Sequence, residues 1–331
     1  MKFKEVIGID VSKNTLDVCF HSLNNFEVVD NTTKGFSKLI SWVKEQAKIP
    51  MDQILFCFEH TGLYSSMLAR YLAAKQINFA IVPGLELKRS LGIQRGKNDK
   101  VDAGKIALYA YRRRNEIETY QIPESSLSKL KQLLSLREKL VKQRAGYKAT
   151  LLEQSSFLNK SENKLLFSIP CRLIKELDKQ IDKIESEIDV ILEENQKLKN
   201  LYELIISIKG VGRQTALYVL VITNGFLLFD NSRKLASYAG VAPFPYRSGT
   251  SIRGRTKVSN LANKKLKSLL SSCASSAIQH DPELKLYYKR KTDQGKSKMQ
   301  VKNAVRNKIV HRIFAVIKRG TPYVSTHDFA A

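Results

Sequence analysis

Four carboxylates stand out by type and position. Asp10 closes a short apolar run, Glu5–Asp10 (EVIGID), and Glu59 closes another, Gln53–Glu59 (QILFCFE), just before the turn His60-Thr61-Gly62. Two acids at the ends of two hydrophobic strands can aim into one cleft if the strands are neighbours. Asp99 and Asp102 lie three residues apart at a predicted helix start, so both project from one helix face. A set of hard carboxylate oxygens suits one or two Mg²⁺ ions, with Mn²⁺ as the alternative. Such a metal polarises a phosphodiester and generates or steers an attacking oxygen. Singly, each residue has a plainer use: Asp10 as a strand end, Glu59 as a turn start, Asp99 as a helix N-cap with Asp102 at N3. The joint pattern is more specific than its members.

A second constellation lies far downstream. The stretch Tyr246-Arg247-Ser248-Gly249-Thr250-Ser251-Ile252-Arg253-Gly254-Arg255, with Lys257 just beyond, combines hydroxyls, glycines and guanidinium groups inside a predicted loop, Pro243–Ser259. Arginines give bidentate contacts to phosphate oxygens, and glycines let the backbone approach closely. Positive charge beside a hydroxyl also suits nucleophilic attack on phosphorus, and the residue types alone leave Ser248, Thr250, Ser251 and Tyr246 open as the nucleophile. Upstream, Ile205–Leu220 (IISIKGVGRQTALYVL) fits a helix-hairpin-helix. There Gly210 and Gly212 expose backbone N–H groups to a phosphate, and Lys209 and Arg213 add charge; an ordinary helical corner is the plainer alternative.

The elements that must position these groups fall into three stretches. Residues 1–120 alternate strand and helix signals: strands at Glu5–Asp10, Thr15–Phe20, Asn25–Asp30, Gln53–Glu59 and Asn78–Val82, and helices at Phe36–Lys48, Tyr64–Lys75 and Asp99–Arg114. That order predicts a mixed sheet with helices packed on it. Residues 121–200 read as helical throughout. Apolar positions 174, 177, 181, 184, 188, 191 and 198 make a heptad seam with Asn195 at a skipped position, and Leu127–Leu158 is a second long helix, with Pro170 expected to break the pair apart. An antiparallel helical hairpin and an oligomeric coiled coil both fit. Residues 201–331 are mainly helical, with helices expected at Gln214–Thr223, Arg233–Tyr238, Leu261–Gln279 and Val301–Arg319. This last stretch carries 23 basic and 6 acidic side chains, net +17 of the chain's +25, which marks it as the main polyanion-facing surface. No apolar run is long enough for a membrane span, and there is no signal-peptide pattern at Met1–Glu5. The four scattered cysteines read as reduced core residues of a cytoplasmic protein rather than a disulfide or zinc framework.

The segments VIGIDVSKNTLDV, FCFEHTGLY and RGKNDKVDAGKIA together resemble the RuvC-like (RNase H-like) domain of DEDD transposases, the mobile-element recombinases of the insertion-sequence one-ten family. SIKGVGRQTA and SYAGVAPFPYRSGTSIRGRTKVSN resemble that family's C-terminal transposase domain, so the resemblance runs through nearly the whole chain. It implies a RuvC-like α/β mixed-sheet domain over 1–120 and a mainly α transposase domain over 201–331, on either side of the helical coiled-coil segment that the heptad seam places over 121–200. It further implies that Asp10, Glu59, Asp99 and Asp102 hold Mg²⁺, and that Ser248, the serine of the family's Y-x-S-G motif, is the nucleophile. Arg253, Arg255 and Lys257 are expected as phosphate contacts on grounds of charge. The implied partners are DNA ends and target, a structured RNA encoded by the element, and further copies of the chain in a dimer or tetramer on the bacterial or archaeal nucleoid. The competing expectations are a RuvC-like junction nuclease whose C-terminal half only binds DNA, and an inactive DNA-binding remnant.

Overall fold

A computed structural model describes residues 2–90, 99–248 and 252–325. The chain divides into two compact units, Met1–Ile122 and Pro123–Ala331.

The first unit is built on a five-stranded sheet of order β3-β2-β1-β4-β5: β1 (Glu5–Val11), β2 (Thr15–Phe20), β3 (Asn25–Asp30), β4 (Ile54–Glu59) and β5 (Phe79–Val82). The β1-β2-β3 meander is antiparallel, while β4 and β5 run parallel to β1. Antiparallel neighbours need only the short Ser12–Asn14 turn, whereas the parallel pairs need helical crossovers, and α1 (Thr33–Gln46) and α2 (Leu63–Ala74) supply them. Alternation along the strands then sorts the core by face. Ile7, Ile9, Phe56 and Phe58 pack with Phe36 and Leu39 of α1 and Leu68 and Leu72 of α2. Val6, Leu55 and Cys57 point to the opposite face, under Ile106, Tyr109 and Ala110 of α4 (Asp99–Arg112). A short helix, α3 (Gly84–Ser90), not expected from the sequence, is tied to α4 by Tyr109 Oη and Arg113 Nη1, both donating to Glu86 Oε1 at 2.6 Å. Gly8 makes the close approach of α4 possible: a Cβ there would run into the backbone of Ala103 and Ala107. This mixed sheet with helices on both faces is consistent with an RNase H-like transposase.

The second unit starts with a long antiparallel helical hairpin, α5 (Ser125–Phe157) and α6 (Lys164–Glu194), laced by Lys129–Glu187, Arg137–Glu185 and Arg144–Asp178 ion pairs. Two details differ from expectation. Pro170 lies inside α6 rather than breaking it: only its own amide donor is lost, early in a 31-residue helix. The heptad seam also stops at Glu194, because Asn195 leaves the helix and caps α7 (Gln196–Ile206), its side chain accepting from Leu198 N at 3.1 Å. Ile184 and Ile188 of the seam, with Leu192 beside it, join a core shared with α8 (Arg213–Ile222), α9 (Ser232–Tyr238), α10 (Lys264–His280), α11 (Pro282–Asp293) and α12 (Lys298–Arg319). The expected loop Pro243–Ser259 is a two-stranded antiparallel ribbon, β6 (Pro243–Ser248) and β7 (Ile252–Val258). Its glycines, prolines and arginines mask a strand pattern, and a register shift between Phe244 and Tyr246 absorbs Pro245, which has no N–H to give to a ladder.

Candidate active site and nucleic-acid interface

Strand register brings Asp10 and Glu59 together. The parallel β1–β4 ladder pairs Ile9 with Phe58, and one step further the same register sets Asp10 beside Glu59 at the carboxyl ends of adjacent strands. Period-two alternation assigns the face: Val6 and Gly8 precede Asp10 on the α4 side, and Leu55 and Cys57 precede Glu59 on that same side. α4 runs antiparallel to β1, since Gly8 meets Ala103 and Ala107 while Val6 packs with Ile106 and Ala110. Its amino-terminal turn, which carries Asp99 and Asp102, therefore lies toward the Asp10 end of the strand. Asp102 is half-buried and accepts from Lys105 Nζ at 2.6 Å, a cation one turn along its own helix. Asp99 is the first residue of α4, and its side chain lies outside the described set.

Asp17 is a further carboxylate on this face, outside the four expected from the sequence. The antiparallel β1–β2 register sets it directly opposite Asp10, and its strand neighbour Cys19 packs on Ala103 and Ala107, which puts Asp17 on the α4 face as well. Like charges directly opposed across a ladder are unfavourable unless other groups engage them, and Asp10 and Asp17 both take part in polar or electrostatic contacts. The sequence signal was the alternation of TLDVCF: with Leu16 and Val18 facing the α1–α2 core, Asp17 must face the other way.

The donor set is chemically suited to a hard divalent cation, since every candidate ligand is a carboxylate. Gly84 adds a structural fit: the Glu59 carboxylate lies against the space that a Cβ on residue 84 would take, so the missing side chain leaves room for it. Among the described residues, no three His, Cys, Asp or Glu side chains form a group that could hold a metal. Burial pushes Cys57 up to about 12, and burial together with the Glu5 charge pushes Cys19 up to about 11, so both remain neutral thiols.

In the second unit, Ser248 is the last residue of β6, paired with Ile252 at the end of the ribbon; its side chain and those of Arg247, Arg253 and Arg255 lie outside the described set, as do residues 249–251. Tyr246 is exposed and pairs with Gly254, and Lys257, also exposed, pairs with Phe244. The α7–α8 turn has the expected glycines. Gly210 adopts φ +92° and sits against the backbone of Ala277 on α10, a conformation and a clearance that no side chain tolerates. Gly212 is exposed and caps α8 without a side-chain acceptor, and Lys209 is exposed beside it. Arg213 is placed differently from Lys209: its Nε and Nη1 donate to Glu185 Oε2 at 2.9 Å and Asp189 Oδ1 at 2.7 Å, so its charge is spent on holding α8 against α6.

Two family models match the chain: one described as transposase, of the DEDD type named for IS110, over residues 7–154, and one described as transposase of the IS116/IS110/IS902 family over residues 202–289. The pilin gene-inverting protein of Moraxella lacunata is 28% identical over 330 residues, spanning 97% of this chain and 98% of that protein, and its Moraxella bovis counterpart matches equally. A 43.6 kDa protein of insertion element IS110 from Streptomyces coelicolor is 32% identical over 142 residues, 43% of this chain and 34% of that protein.

Proposed function

From the premise that this chain belongs to the IS110 family of DEDD transposases and is a DNA transposase or recombinase, we propose that Ser248 and the carboxylates Asp10, Glu59, Asp99 and Asp102 act in one strand-exchange reaction. The observation that carries this reading is the register that sets Asp10 beside Glu59 on the face where α4 packs, with Asp99 and Asp102 in its first turn.

In this reading Ser248 Oγ attacks a DNA phosphorus. The P–O bond to the departing sugar oxygen breaks, that oxygen takes up the proton the serine gives up, and a phosphoserine linkage retains the bond energy. Attack by a sugar hydroxyl of the incoming strand on that phosphorus then joins the strands, expelling Ser248 Oγ, which takes back a proton, so rejoining needs no high-energy cofactor. A divalent ion, Mg²⁺ in this proposal, would be held by the four carboxylates and supply charge neutralisation at the phosphate oxygens. The chain's own basic groups hold the neighbouring phosphates: Lys209 and the backbone N–H groups at Gly210 and Gly212 in the α7–α8 turn, and Arg253, Arg255 and Lys257 on β7. The structured RNA of the element is assigned to the same basic half. The reaction is assigned to a homo-oligomer. Leu152, Phe157 and Leu165, at the far end of the α5–α6 hairpin, are exposed apolar residues suited to burial against a second copy.

The test is strand exchange between element-end and target DNA, with the element's RNA and Mg²⁺. Wild-type protein is expected to leave a protein–DNA adduct that survives denaturation. Ser248→Ala is expected to abolish both adduct and exchange, and Asp10→Asn to abolish both while duplex binding persists. Cleavage by Ser248→Ala would instead support a metal-dependent junction nuclease, and exchange without the RNA would remove the guide from the account.

A further inference from the structure

Two arginines on α12 sit in opposite electrostatic situations. Arg312, with an 11% exposed side chain, is matched by acids: Nη1 donates to Asp281 Oδ2 and Nη2 to Glu283 Oε2, each at 2.6 Å. Arg306 is only 8% exposed, yet no Asp or Glu among the described residues pairs with it. Its Nε is buried without an acceptor. Nη1 reaches Asn303 Oδ1 at a long 3.4 Å, and Nη2 reaches Met299 Sδ at 3.9 Å, a weak acceptor. Burial alone holds its guanidinium below the ordinary arginine value, with no anion to offset it. Asn307, the next residue, also has a buried side-chain oxygen without a partner.

A buried cation without a counter-charge is a cost that folding does not require, since an apolar side chain of the same length would fill the space without that penalty. Met299, whose Sδ is the contact of Nη2, is 65% exposed, unbranched and flexible, so it can leave that contact without disturbing the core. Met299, Asn303 and Arg306 lie at i, i+4 and i+7 on one face of α12, and Asn303 Nδ2 donates to Val241 O at 2.9 Å, two residues before β6 begins at Pro243. Arg306 therefore lies at the foot of the strand that ends in Ser248. Five residue steps of extended chain separate Pro243 from Ser248, about 17 Å, which is out of reach of the reacting phosphorus but within reach of a phosphate a few nucleotides away.

We infer that Arg306 is a DNA-binding residue whose guanidinium takes a backbone phosphate flanking the scissile one when Met299 swings aside. A phosphodiester supplies the two acceptor oxygens that the guanidinium fork lacks in the free protein. This rests on the recombinase reading given above, but binding measured in EDTA is independent of whether Ser248 forms an adduct.

The experiment is titration of full-length protein with a labelled mixed-sequence duplex DNA, and separately with a single-stranded RNA of equal length, across a salt series in EDTA, together with thermal melting. Arg306→Met is expected to melt at or above the wild-type temperature, to bind duplex about ten- to hundredfold more weakly, and to lower the slope of log affinity against log salt by about one. A lower melting temperature with unchanged duplex affinity and slope would overturn the proposal and make Arg306 structural. A loss confined to RNA would overturn the assignment to DNA. If Arg306→Met does not fold, phenylglyoxal labelling mapped by mass spectrometry decides. Met299→Ala is expected to speed modification of Arg306 and duplex DNA to suppress it; failure of DNA to protect Arg306 would overturn the inference.

Discussion

The carboxylates and the serine are supported in opposite ways. Asp10 and Glu59 end two central strands of a five-stranded sheet that has apolar cores on both faces, and Gly8 lets α4 close directly over them. Ser248 ends a two-stranded ribbon, a construction that is marginal by itself and here carries exposed side chains at Phe244 and Tyr246. In the proposed reaction the carboxylates would share a metal and tolerate little displacement, which a rigid sheet suits. Ser248, as the proposed nucleophile on a large, variable polymer, could sit on a thinner support whose alignment the bound strand completes.

The largest effects test whether both supports serve one reaction. Ser248→Ala and Asp10→Asn should each lower strand exchange by more than about 10³-fold; a much milder loss in either would separate the two regions functionally. The next tests the rigidity of the sheet. Gly8→Val puts methyl groups into the α4 backbone and should destabilise the first unit by about 3 kcal/mol, read as a lower melting temperature. Gly84→Ala should melt near wild type, because the atoms nearest its Cβ belong to the movable end of Glu59, yet should lower exchange activity.

A smaller pair of effects separates the two cations of the α7–α8 turn. Arg213→Ala should cost about 1–2 kcal/mol of stability, because Asp189 loses its ion-pair partner and Glu185 keeps only Arg137, and leave the salt dependence of DNA binding unchanged. Lys209→Ala should do the reverse, keeping the melting temperature and reducing the salt slope by about one. The smallest effect is chemical: under native conditions maleimide should label exposed Cys171 and spare Cys19, Cys57 and Cys273, which are buried.

How far the sequence carries depends on whether information is local. β1 to β5 and the helices between them are legible because their apolar periods switch cleanly between two and about 3.6 within each segment. Asp17 belongs to no local motif, because its significance lies in the pairing with β1. The role of Arg213 depends on acids 24 and 28 residues away on another helix, which no local pattern encodes. The β6–β7 ribbon was hidden by a composition that reads as loop. Pro170 read as a helix breaker because a proline's cost is local while the packing that outweighs it is not. α11 did offer a signal in Asp281-Pro282-Glu283, with Asp281 capping Leu284 N at 3.0 Å and proline in the first turn, but its mostly polar surface gave no apolar period to extend it.

The most direct test of the account is to trap the reaction on element-end and target DNA with the element's RNA and Mg²⁺, digest it and locate the nucleotide-bearing peptide by mass spectrometry. The account predicts a phosphodiester adduct on Ser248; an adduct on Tyr246, Thr250 or Ser251, or strand exchange with no adduct at all, would contradict it.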